Sequence, residues 1–131
     1  MPDLAGFSHL SLTVTDVDAS TAWWTELMGL IKVLDGVEAG RRFTTNIHSS
    51  GVIIGFRERE TEGDDQFDES RVGLDHFALH VPARADLDGW LARLDELEIE
   101  HSEIKDVAYG SVLTFRDPDN IQAEFFALPG I

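Results

Sequence analysis

The chain has 131 residues, 43% of them hydrophobic, and no cysteine, which suits one core and excludes disulfides and Cys-ligated metals. Its formal net charge of −15 comes from 10 Lys and Arg against 25 Asp and Glu, and that sign argues against nucleic acid and anionic membranes as partners. No apolar run approaches the roughly 20 residues that span a bilayer, and the first residues lack the basic and apolar regions of a signal peptide, so a cytoplasmic protein is expected.

In chain order, residues 7–14 alternate, with Leu10, Leu12 and Val14 on an apolar face and His9, Ser11 and Thr13 on a polar one, the pattern of a half-buried strand. Asp16 or Asp18 caps a helix that runs to about Met28, with Trp23, Leu27 and Leu30 at helical spacing and Gly29 at its C-terminus. Residues 31–34 read as a short strand, 41–47 as a second, Ser49-Ser50-Gly51 as a turn and 52–57 as a third. Residues 58–71 are polar and acidic, the composition of a loop. Residues 74–81 repeat the pattern of the first strand, and 85–97 form a second helix with Leu87, Trp90, Leu91 and Leu94 as its stripe. A strand over 109–116 follows. Then comes Asp117-Pro118-Asp119-Asn120, in which Pro fixes its own φ and Asn accepts the left-handed conformation. In the last strand Ile121, Ala123 and Phe125 share one face; Gln122, Glu124 and Phe126 share the other.

The second half repeats the first. His9 and His76 stand 67 residues apart, as do Trp23 and Trp90, while Gly51 and Asn120, and Phe56 and Phe125, stand 69 apart. The slip of two is a difference in loop length. Gly51 and Asn120 both accept positive φ, so one turn type is expected twice. The fold class is therefore α+β: two βαβββ units, about 5–58 and 73–128, joined by an acidic linker at about 58–72, forming a cupped mixed sheet with helices outside in a single domain over 1–131.

In each unit the apolar face of the first strand must meet its helix. His9 and His76 then face the cup, and by the same alternation so does Glu124. A carboxylate among aromatics in mid-strand needs a cation, a proton or a partner. Two His and one carboxylate form a set that holds Fe(II), Mn(II), Zn(II), Ni(II) or Co(II) and leaves positions open for substrate or water.

The doubled unit, with a His in each first strand and a Glu after an Asp-Pro-Asp-Asn turn, resembles the vicinal oxygen chelate superfamily over nearly the whole chain, from Phe7 to Leu128. That superfamily contains glyoxalase I, methylmalonyl-CoA epimerase, extradiol dioxygenases and the fosfomycin- and bleomycin-resistance proteins. The resemblance implies that His9, His76 and Glu124 are metal ligands and that the ion chelates two neighbouring oxygens of a substrate. It also shows a departure: Gly55, or Ile54 if the register slips by one, stands in the place of Glu124, where glyoxalase I and the epimerase have a fourth ligand, so the chain is not expected to be glyoxalase I proper. The fosfomycin branch needs a more basic pocket than this acidic chain offers.

His80, four residues past His76 on the same strand face, and Tyr109 are candidate catalytic proton handlers. Gln122, Phe126 and Arg57 fall on the cup side as candidate substrate contacts, Arg57 for a carboxylate. Trp23 and Trp90 are expected in the core, Trp24 at a subunit contact, and His48 and His101 at the surface. The expectation is a homodimer acting on a small molecule, with a lyase, an isomerase and a ring-cleaving oxygenase all open. The alternative is a metal-free binding protein of the bleomycin-resistance kind, for which an acidic surface would suit a cationic compound.

Overall fold

The computed structural model describes residues 1–60 and 62–130. They form two compact units, Met1–Asp64 and Asp65–Ile131. The first contains β1 (Leu10–Val14), α1 (Val17–Met28), β2 (Ile31–Glu38), β3 (Arg41–Ile47) and β4 (Ile53–Glu58). The second contains β5 (Phe77–His80), α2 (Asp86–Glu96), β6 (Lys105–Val107), β7 (Gly110–Arg116) and β8 (Gln122–Ala127). Each unit is a four-stranded mixed sheet with one helix against it, in the orders β1-β4-β3-β2 and β5-β8-β7-β6. The first and last strands of each unit pair in parallel, which the intervening helix makes possible. No helix among the described residues is long and apolar enough to cross a membrane.

The two helices are started and stopped differently. Asp16 caps α1, its side chain accepting from the Ala19 amide at 3.0 Å, and Gly29 ends the helix at φ 74°. At the start of α2 the N-cap is Ala85, and among the described residues no side-chain cap bond is made there. At its end Glu98 takes φ 57°, and the Ile99 amide donates to the Leu94 carbonyl at 2.9 Å. That closure leaves two carbonyls satisfied without a glycine.

Strand alternation positions the site. In the first unit Leu12, Val14, Ile54 and Phe56 are buried on the α1 side, while Ser11 and Thr13 are exposed. In the second, Val81, Ala123 and Phe125 are buried and Ala78 and His80 are exposed. Phe125 stacks between Trp90 (centroids 4.3 Å) and Phe115 (5.1 Å). Burying each such side chain stabilises its unit by about 1.5–3 kcal/mol.

The repeat extends to individual hydrogen bonds. In the second unit Asp117 Oδ1 accepts from the Asp119 and Ile121 amides, and the Asn120 amide returns to the Asp117 carbonyl with Asn120 at φ 65°. In the first, His48 takes the place of Asp117. Its Nδ1 accepts from the Ser50 amide at 3.0 Å, and the Gly51 amide donates to its carbonyl with Gly51 at φ 95°. His48 is thus a turn cap and half-buried.

Several expectations need correction. His9 and His76 stand one residue before the paired part of β1 and β5, not within the strands. Trp24 is fully buried and Trp23 only partly, so the α1 core stripe is Val17, Ser20, Trp24, Leu27 and Met28. A serine on the buried face made the neighbouring stripe look equally apolar. β2 reaches Glu38, well past residue 34, and the three-residue β6 carries no alternation by which to find it. His101 is not at the open surface: it bridges to Phe115, and its side chain is 15% exposed.

Candidate functional site

The site in the second unit is built from the start of β5, the middle of β8 and β7 beside it. Register places Ala78 of β5 and Thr114 of β7 opposite Glu124. Glu124 Oε1 lies 3.3 Å from His76 Nε2, and Oε2 accepts from Thr114 Oγ1 at 3.1 Å. The other ring nitrogen, Nδ1, donates to Asp75 Oδ1 at 2.6 Å. The imidazole therefore stands between two carboxylates. A neutral ring carries one N–H, so with Nδ1 committed to Asp75 the Nε2 lone pair faces Glu124. A cation held between Nε2 and Oε1 resolves that opposition, and the arrangement fits a His and a carboxylate ligand with their outer partners already in place.

The first unit presents the same scaffold with one change. His9 occupies the place of His76, and its Nδ1 pairs with the Ser8 hydroxyl at 2.9 Å, as that of His76 pairs with Asp75. In both units the preceding side chain therefore engages Nδ1. Ser11 and Thr45 lie opposite Gly55, as Ala78 and Thr114 lie opposite Glu124. Where the second unit has its carboxylate, the first has no side chain. A Cβ added at Gly55 would meet Ser11 Oγ and the Thr44 carbonyl at 3.4 Å, ordinary contact. A cavity of about 440 Å³ opens here, lined among others by His9, Ser11, Glu38, Phe43, Gly55 and Arg57.

The remaining candidates fall into two groups. Arg57 belongs to the cavity: its guanidinium lies over the Phe43 ring at 5.1 Å and 3.4 Å from Glu38 Oε1, a glutamate 68% exposed. His80, Tyr109, Phe126 and Gln122 belong to the second unit. His80 is exposed and pairs with Phe126 in the sheet, and Phe126 stacks on the Tyr109 ring at 5.8 Å. The amide of Gln122 is engaged at both ends, by Arg116 Nη2 at 3.2 Å and by Asp75 Oδ1 at 3.3 Å. Among the described residues, no group of three His, Cys, Asp or Glu side chains is arranged to hold a metal ion, and the structure brings together the pair His76 and Glu124.

Sequence reasoning missed Asp75, Thr114, Arg116 and Glu69. Only Asp75 left a signal, an acid directly before a candidate ligand. The partnership of Arg116 with Glu69, 47 residues away, follows no periodicity.

Comparison with known proteins bears on this arrangement. A family model described as the Glyoxalase/Bleomycin resistance protein/Dioxygenase superfamily matches residues 6–125. The chain belongs to that superfamily. A solved glyoxylase/bleomycin resistance protein/dioxygenase domain from Frankia sp. EAN1pec is 35% identical with a TM-score of 0.89, over 97% of this chain and 94% of that one. At 19% identity the likeness shows the fold alone. It does so for a Glu-to-Gln mutant of the fosfomycin resistance protein FosX from Listeria monocytogenes, solved with Mn(II) and 1S,2S-dihydroxypropylphosphonic acid (TM-score 0.70, 97% and 93% covered). It does so too for an integron cassette protein from the mobile metagenome of a Halifax Harbour sewage outfall (TM-score 0.76, 95% and 100% covered). Among curated proteins, none matches. Both α+β units of this superfamily member have the arrangement expected from its strands.

Proposed function

We propose that this superfamily member is a metal-dependent enzyme of the glyoxalase/dioxygenase type that acts on a small oxygenated organic substrate. His76 and Glu124 are two of its protein ligands and His9 the third. The observation that carries this reading is the held imidazole: Nδ1 of His76 is committed to Asp75, so Nε2 is presented to Glu124, and in the first unit the Ser8 hydroxyl contacts Nδ1 of His9 at the same place. A divalent ion there, of Fe, Mn, Zn, Ni or Co, would supply Lewis acidity toward two neighbouring substrate oxygens. The absence of a side chain at Gly55 sets the chain apart from glyoxalase I proper. Arg57 and Phe126 would then bind substrate, Arg57 through an acidic group, and His80 and Tyr109 would hold or move its protons. The protein would work as a cytoplasmic homodimer, in keeping with the exposed apolar Ile31, Leu34 and Val37 on β2; a monomer's mass in sedimentation would remove the dimer.

Metal analysis of tag-free protein tests the reading. Stoichiometric divalent metal is expected in the parent and its loss in His76→Ala and Glu124→Ala. A parent that holds none, and takes none up from Fe(II), Mn(II), Ni(II) or Zn(II), would overturn it in favour of a metal-free protein that sequesters a small compound.

A further inference from the structure

Behind His76 runs a chain of hydrogen bonds that ends in the acidic linker. Asp75 Oδ1, the acceptor of His76 Nδ1, also accepts from Gln122 Nε2 at 3.3 Å, and the Asp75 carbonyl accepts from the same nitrogen at 3.2 Å. Gln122 Oε1 accepts from Arg116 Nη2 at 3.2 Å. Arg116 grips Glu69 with two parallel bonds, Nη2 to Oε1 at 2.7 Å and Nη1 to Oε2 at 2.9 Å. The linker is docked there independently. The Phe67 amide donates to the Asp119 carbonyl at 2.9 Å, and Asn120 Nδ2 donates to the Phe67 carbonyl at 3.1 Å.

Chemistry fixes the direction of the links from Arg116 to Asp75. A guanidinium only donates, so the oxygen of Gln122 must face Arg116 and its NH₂ must face Asp75. Of the two carboxylates that flank the His76 ring, Asp75 makes the shorter contact, 2.6 Å at Nδ1 against 3.3 Å for Glu124 at Nε2, so in a neutral ring the hydrogen goes to Nδ1 and the lone pair to Nε2. An amide or imidazole that could otherwise flip is thus held in one orientation by a single arginine. Arg116 also holds the Glu69 carboxyl down at about 2, so the far anchor stays ionised.

We infer that Glu69, Arg116, Gln122 and Asp75 form a positioning chain that presents Nε2 of His76 to a divalent cation, so that the linker contributes to metal affinity without touching the metal. The inference rests on the metal reading above. It places Gln122 behind the site, with its amide unavailable to a substrate while the chain is intact.

Two measurements on the full chain test it. The first is Mn(II) affinity, followed by the electron paramagnetic resonance of the free ion. Asp75→Ala is expected to weaken binding by about 10–100-fold, as removal of an outer-shell partner does, and Glu69→Ala by a smaller factor of at least about threefold. Asp75→Asn, whose amide oxygen can still accept, recovers part of the loss. The second is the ring ¹⁵N spectrum of His76 in metal-free protein, which a merely structural role would not move. The parent shows hydrogen on Nδ1; Asp75→Ala shifts it toward Nε2. Unchanged affinity in both alanine variants, with the His76 tautomer unaltered, would overturn the inference. A parent that binds no Mn(II) would sink the metal reading instead, and the ring spectrum would still decide whether the chain sets the tautomer.

Discussion

The first unit has a polar seam under its helix, and the second an aromatic one. Thr44 and Asn46 are buried on β3, tied to each other and to Thr21 of α1, and Asn46 Oδ1 has no hydrogen-bond partner among the described residues. At the matching places β7 has Leu113 and Phe115, packed with Phe125 and Trp90. The open faces differ too: Ser8, Ser11 and Gly55 in one unit stand against Asp75, Ala78 and Glu124 in the other. Backbone register and both four-residue turns are the same throughout. Pairing and turn geometry depend on backbone bonds and on two positive-φ positions, which many sequences satisfy. The side chains on either face were free to diverge, and the carboxylate of the candidate site lies in the second unit alone.

The largest expected effect comes from the hairpin before β7. Gly110 has φ 149°, and a Cβ there would lie 2.4 Å from the Ala127 carbonyl and 2.5 Å from the Phe126 ring. The first unit has Arg41 at the same place, opposite Glu38 as Gly110 is opposite Val107. Gly110→Ala should cost about 2–4 kcal/mol in urea unfolding, because neither the carbonyl nor a ring stacked on Tyr109 can yield cheaply. Arg41→Ala, which removes a 3.8 Å pair with the exposed Glu60 and a hydrogen bond to the Glu58 carbonyl, should cost about 1 kcal/mol. Equal losses would show that the two hairpins are constrained alike.

A second substitution makes the open faces more alike. Gly55→Glu would set a carboxylate beside His9 as Glu124 stands beside His76, with Cβ in ordinary contact with its neighbours. Mn(II) should bind about tenfold more tightly, near 1.4 kcal/mol, if the surroundings of His9 differ from those of His76 only by the missing side chain. Unchanged or weaker binding, measured by titration calorimetry, would mean that the cavity around Arg57 is built to exclude a second carboxylate.

Much of this contrast was legible in the residues. The two-residue period placed Glu124 and Gln122 on the face opposite Phe125, and the offset of 69 identified Gly55 as the counterpart of Glu124, which the registers of β4 and β8 bear out. Gly51 and Asn120 were readable as positive-φ positions because few residues tolerate that backbone. Trp24 was misplaced since Ser20 interrupts the apolar stripe of α1. β6 is too short for a period to show. The links from Asp75 to Gln122 and from Arg116 to Glu69 join residues 47 apart through side chains alone, and no local pattern encodes them.

The smallest expected effect distinguishes the edges of the two sheets. Lys32 and His101 are counterparts, paired respectively with Asn46 and Phe115, but Lys32 lies in a continuous strand and His101 in a lone bridge. The imidazole makes up for the missing strand with two bonds, Nδ1 to the Ser102 carbonyl and Nε2 to Asp95 Oδ1, both at 2.6 Å. Only the protonated ring can donate both, and the Ser102 carbonyl, followed by Asp95, raises its pKa. Glu98 and Glu100 line the same hollow. Because the folded value lies above the ordinary one near 6.5, the ring's contribution is complete below about pH 6.5 and is lost as pH rises through the folded value. His101→Gln should therefore be less stable than the parent at pH 5.5, by on the order of 1 kcal/mol at most, and the gap should narrow by pH 9. A gap that stays constant across that range in urea unfolding would mean that the ring acts through its packing against Phe115, as an uncharged strand residue would.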